Sequence, residues 1–100
     1  SIRYKTNVEP IENSLETIMN LEGVRYDWKD GRRNDIGFIA EEVGRVIPEI
    51  VDWDENGEHA NGLEYSRITC ILVEAVKEQQ KQIDSLKQEI LLLKGENKNT

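Results

Sequence analysis

Along the last third of the chain, core-type positions fall at gaps that alternate four and three: Leu72, Val76, Gln79, Ile83, Leu86, Ile90, Leu93. That is the 3.5-residue period of a supercoiled helix, not the 3.6-residue period of a helix lying on its own core. Thr69 carries the seam one step upstream, and neither Pro nor Gly interrupts Ser66 to Lys94. The pattern predicts one continuous helix about 43 Å long at 1.5 Å per residue. A lone chain has nothing to bury such a stripe against, so copies of itself are the most economical partners. The a positions are Thr69, Val76, Ile83 and Ile90; the d positions are Leu72, Gln79, Leu86 and Leu93. β-Branched a with Leu at d favours a parallel dimer in simple zippers, and a polar residue such as Gln79 in the seam lowers stability while setting register. By pattern alone, dimer and trimer both stay open. The flanking charges (Glu74, Lys77, Glu78, Lys81, Asp84, Lys87, Glu89) read as a solvated face first and as partner-specifying second. The competing reading is an amphipathic helix folded back on a small domain. It has to explain a seam that runs to Leu93, beyond the reach of a small core.

Upstream the pattern changes character. SIRYKTNVE is polar with no clear period and reads as an extended lead-in. Pro10 suits a helix start, and Ile11, Leu15 and Ile18, with Met19 alongside, predict a short helix to about Leu21, stopped by Gly23. Val24, Tyr26 and Trp28 alternate with Arg25 and Asp27, a strand signature. Asp30-Gly31 is a turn signal, and residues 35–40 form a second strand candidate, which suggests a hairpin. Glu41 to about Ile47 predicts a short helix ended by Pro48. Asn56-Gly57 is the preferred pair of a type I′ hairpin, with short strands expected near Ile50–Asp54 and Glu58–Ala60. Asn61-Gly62 predicts a further turn, and Ser66 is placed as the N-cap of the long helix. The expected architecture is α+β, mainly α. A small domain of short helices and β-hairpins spans 1–65, the long helix 66–94, and a polar, frayed tail 95–100.

Composition narrows the function classes. One hundred residues allow one domain, or a small domain with a stalk. A compact unit of this size buries only about 60–65% of its unfolded surface, so association would supply much of the stability. Charged residues make up 33% of the chain and the net charge is -7. Such a chain repels a phosphate backbone, so nucleic acid is not an expected partner. No stretch approaches the roughly 18 apolar residues of a membrane span, and no signal peptide is expected. Cys70, the single cysteine, reads as a buried, inert thiol, and His59 as a surface residue beside a turn. With one Cys and one His there is no metal-ligand spacing, and no cofactor is expected. Trp28 and Trp53 read as core residues. No Gly-rich phosphate loop or triad spacing supports an ordinary small-molecule enzyme.

Several segments, taken together in order and spacing, resemble a known family. They are Ile2-Arg3-Tyr4-Lys5-Thr6-Asn7-Val8, Gly23-Val24-Arg25-Tyr26-Asp27-Trp28-Lys29, Asp35-Ile36-Gly37-Phe38-Ile39-Ala40-Glu41-Glu42-Val43, Ile47-Pro48-Glu49-Ile50-Val51 and Glu64-Tyr65-Ser66-Arg67. The chain is similar, over residues 2 to about 90, to the C-terminal intramolecular chaperone and self-cleaving domain of phage tailspikes, endosialidases and neck appendages. The resemblance implies a homotrimer with bundled parallel helices and small domains that grip the preceding fibre of the same polypeptide. It implies action in the host cell cytoplasm during phage assembly and release from the mature virion protein.

The resemblance also implies chemistry: a single-turnover serine endopeptidase that cuts on the N-terminal side of its own nucleophile, with no activity expected in trans. Lys5 matches the family's general base and Arg3 its basic neighbour. The family pattern is Ser-Asp-x-Arg-x-Lys, with serine five before lysine, whereas Ser1 stands four before Lys5. Two registers stay open: a nucleophile one residue upstream of Ser1, or Ser1 itself after a one-residue deletion. Glu41 stands where many relatives carry Gln, and a carboxylate donates to an oxyanion only when protonated. The alternative of a different class is a permanent, non-cleaving trimerisation and adaptor module. A third reading is the cellular relative that releases a membrane-tethered transcription factor; no membrane span follows the helix in this sequence.

Overall fold

In the computed structural model, which describes residues 1–98, two hairpins and two short helices gather around the first turns of one long helix. In chain order the elements are α1 (Ser14–Met19), β1 (Val24–Tyr26), β2 (Asp35–Gly37), α2 (Ala40–Val46), β3 (Val51–Trp53), β4 (Ala60–Leu63) and α3 (Tyr65–Lys98). Short 3₁₀ turns occupy Ile2–Tyr4 and Pro48–Ile50. β1 and β2 pair antiparallel, Arg25 opposite Ile36, and β3 and β4 pair antiparallel, Val51 opposite Leu63. The mainly helical α+β architecture expected from the pattern is the one observed. The radius of gyration is 19.9 Å, against about 13 Å for a compact chain of this length. The excess comes from the distal part of α3, which extends beyond the small domain.

The core is small and sits on one side of the base of α3. Val43 of α2, Ile47, Ile50 and Val51 meet Ile68 and Ile71 of α3, and Ala75 one turn further on is also buried, all under 10% exposed. Ile18, Leu21, Phe38, Trp53 and Leu63 close the rim. Gly44 is what lets α2 approach β3: a Cβ there would run into the Trp53 ring. The division at residue 65 is therefore not a division of packing. The first turns of the long helix complete the core of the small domain.

Four local expectations need correction, each for a physical reason. The first helix starts at Ser14, not Pro10, because Asn13 takes a left-handed conformation with φ 57°. Its free N-terminus is satisfied from outside, the Leu15 amide donating to Glu78 Oε2 of α3 at 3.1 Å. The Asn56-Gly57 turn is not type I′: Gly57 alone has positive φ (70°), and its amide donates to Asp54 O at 3.0 Å, within a longer loop closed by Asp54 N to His59 O. Asn61-Gly62 does not turn but lies inside β4. Asp52 pairs with Gly62 and Trp53 with Ala60, so Asn61 is the extra residue of a bulge. Ser66 is inside α3 rather than its N-cap, and its carbonyl accepts a weak bond from Cys70 Sγ at 3.7 Å.

Cys70 itself is exposed, not buried. Trp53 packs on the core, while Trp28 lies at the edge, 41% exposed. His59 is at the surface, Nδ1 at 3.8 Å from Asp54 Oδ2. α3 runs through Gly95 to Lys98, where the start of the frayed tail was expected. Asn99 and Thr100, the rest of that tail, lie outside the described residues. No helix among the described residues is long and apolar enough to cross a membrane.

Candidate functional site

The first candidate surface is the seam of α3. Thr69, Leu72, Val76, Gln79, Ile83, Leu86, Ile90 and Leu93 are all exposed in the lone chain, Val76 by 61%. The residues that α3 gives to its own core lie elsewhere on the helix. Ile68, Ile71 and Ala75 are spaced three and four apart, and Glu78 continues their stripe. At 3.6 residues per turn this stripe is roughly 100° round the helix from the seam. The small domain therefore uses one flank of α3 and leaves the heptad face free along its whole length.

The second candidate is the N-terminal segment. Ser1 Oγ accepts from both the Arg3 amide and Arg3 Nε, each at 3.3 Å, so the hydroxyl oxygen sits against a fixed cation. A positive neighbour favours the negative charge that develops on an attacking oxygen. The Arg3 guanidinium also lies 5.3 Å from the Tyr4 ring centroid. Lys5 closes the turn through its amide, which donates to Ile2 O at 3.2 Å. Its side chain is exposed, and among the described residues it forms no hydrogen bond or ion pair with Ser1. The structure thus brings Ser1 and Arg3 together and leaves Lys5 beside them without a shared proton path. No residue of the first thirteen is buried.

Glu41 is held at a different place. It lies in the first turn of α2, and its Oε2 accepts the Ala60 amide of β4 at 2.8 Å. That bond, with help from its own backbone amide, His59 and Arg45, holds its carboxyl below the usual range. In this arrangement Glu41 is an ionised strut between α2 and the second hairpin. No hydrogen bond or ion pair among the described residues joins it to Ser1, Arg3 or Lys5.

One cluster was not foreseen. On the first hairpin, Trp28 Nε1 donates to Asp35 Oδ2 at 2.9 Å, Arg32 stacks over Trp28 at 4.4 Å, and Tyr26 meets Trp28 edge-on at 5.2 Å. The indole bond, then the Ile36 amide, holds the Asp35 carboxyl below its usual range. Desolvation, then the Asp35 charge, raises the Tyr26 phenol. The alternation of Tyr26 and Trp28 was visible in the sequence; their partner across the turn was not. Beside the hairpin an open apolar groove of about 490 Å³ runs between Val24, Ile36, Gly37, Phe38 and Tyr65. The Tyr65 hydroxyl accepts the Phe38 amide at 3.4 Å and ties α3 to it.

Comparison with known proteins covers both candidates. Residues 1–52 match the family model for the chaperone of endosialidase, a peptidase family; the match includes Ser1, Arg3, Lys5 and Glu41. The long tail fiber protein Gp37 of Enterobacteria phage K3 is 31% identical over 97 residues, which is 90% of this chain and 8% of that protein. The Gp37 of Salmonella phage S16 is 28% identical over 101 residues, 92% of this chain and 14% of that protein. Gp37 of Enterobacteria phage T2 is also 31% identical over 97 residues. The chain thus spans less than a sixth of the length of these relatives.

Proposed function

The chain belongs to the chaperone of endosialidase family, and on that premise we propose that it is the C-terminal intramolecular chaperone of a phage tail fibre or spike. It trimerises through the α3 seam, sets the register of three copies of a preceding β-rich domain, and then releases itself. The observation that carries this is the seam itself, exposed from Thr69 to Leu93 while the core uses another flank. Intertwined chains of high contact order register slowly and misfold readily, and a local helical bundle supplies register early. Removing the bundle afterwards closes the return path and makes the fibre's stability kinetic. The work is done in the host cytoplasm during assembly.

Release is a single-turnover Ser-Lys reaction at the N-terminal segment. The serine hydroxyl oxygen, at Ser1 or the residue just upstream, attacks the carbonyl carbon of the residue before it. Lys5, as a neutral amine, takes the hydroxyl proton, and Arg3 steadies the oxygen. The serine nitrogen leaves carrying that proton as a free amine, and the acyl group rests on the oxygen as an ester. Water then adds to the ester, giving a carboxylate on the fibre and restoring the hydroxyl.

The test is the mass of the product from a chain extended by its native upstream segment, beside the same chain with Lys5→Ala. The expected result is a split at or one residue before Ser1 that Lys5→Ala abolishes. Trimers that stay whole in both cases would instead establish a permanent adaptor module. The register supports that second reading, since Ser1 stands four rather than five residues before Lys5.

A further inference from the structure

Near the small domain, α3 carries more apolar surface than the seam and the core together use. In the heptad frame Ile68 and Ala75 hold position g and Ile71 holds c, and all three are buried by the chain's own small domain. Glu78, also at c, accepts the Leu15 amide, which anchors α1 against the same flank. Val73 holds position e, on the opposite side of the seam, and is 53% exposed. In parallel bundles the e position of one helix faces the g position of the next. Here that g flank is not open. It is the flank that each chain's small domain covers, with α1 packed along α3. On α1, Met19 is left 74% exposed.

We propose that Val73 of each copy packs on α1 of the next copy, at Met19, so that the occupant of this face is a second copy of this chain. The proposal rests on α3 forming a parallel bundle. It draws on the continuity of Val73 with Thr69, Leu72 and Val76 in one exposed strip. The consequence is coupling. Each small domain is clamped between its own α3 and that of a neighbour, so its core gains its full stability only in the assembled state.

The test is sedimentation equilibrium of the chain, of Val73→Asp, of Met19→Asp, and of the pair Val73→Asp with Met19→Lys. Both positions are exposed in the lone chain, and the fluorescence of Trp28 and Trp53 together checks that each single variant keeps its fold. Each single substitution is expected to raise the dissociation constant about tenfold, and the opposite-charge pair to recover most of that loss. Two results would overturn the contact: Met19→Asp associating like the parent, or the pair associating no better than the weaker single variant. A parent chain that stays monomeric at every concentration removes the bundle itself. Association of the parent with Met19 silent removes only this inference.

Discussion

The proximal part of α3, Tyr65 to Glu78, and the distal part, Gln79 to Lys98, belong to one helix but are held by different means. In the proximal part Ile68, Ile71 and Ala75 are buried by the chain's own small domain, while Leu72, Val73 and Val76 face outward. In the distal part every residue from Gln79 through Lys94 is exposed. A helix of about 20 residues with an exposed apolar stripe is marginal in water, because propagation barely repays nucleation without tertiary packing. The proximal turns are thus secured within one chain, and in the proposed bundle the distal turns would be secured by other copies. In the proposed assembly, folding of the small domain and registration of several chains would share the proximal turns of this helix.

Leu86→Ala in the distal seam should act on association alone and with the largest effect. A deleted core leucine is expected to remove about 2–5 kcal/mol per protomer from the associated state. Concentration-dependent thermal melts by circular dichroism would read this, with the tryptophan fluorescence of the lone chain unmoved. The converse is Gly44→Ala, which pushes a methyl group into the Trp53 ring. It should destabilise the small domain by about 1–3 kcal/mol. Urea unfolding followed by fluorescence checks it, and association through the distal seam should persist.

The smallest effect concerns pH. The Ala60 amide, ahead of other causes, holds the Glu41 carboxyl below the ordinary glutamate value. A depressed carboxyl contributes stability that is present above the unfolded value and lost as pH falls through the folded one. The bond is close to solvent, so the contribution is below about 1 kcal/mol. Glu41→Gln should therefore flatten the acid limb of the small domain's urea midpoint and leave the association constant unchanged.

What was legible in the chain follows from how local each signal is. The seam was legible because heptad spacing is a property of one helix and needs no knowledge of neighbours. Both hairpins were legible from alternation and turn residues, and Asp30-Gly31 does turn, with Gly31 at positive φ; Asn61-Gly62 misled, since it carries the same local preference whether it turns or bulges. Helix starts failed for a similar reason. α1 begins where Glu78, sixty-three residues away, satisfies the Leu15 amide, and no local motif encodes that. At the candidate site, Ser1, Arg3 and Lys5 were legible only through the family resemblance, and the bonds from Arg3 to Ser1 Oγ came from the structure. The anchoring of Glu41 to Ala60 was not, because it depends on how α2 meets the second hairpin.

The sequence by itself determined the class of architecture, the free heptad face and the family resemblance, because periodicity, turn chemistry and residue order survive without a fold. Only the tertiary structure decided which flank of α3 the small domain occupies. It alone placed Cys70 outside and Trp28 at the exposed edge, and it alone tied Glu41 to β4 rather than to the N-terminal segment. These outcomes turn on packing between segments distant in the chain, where burial and paired hydrogen bonds outweigh local preference.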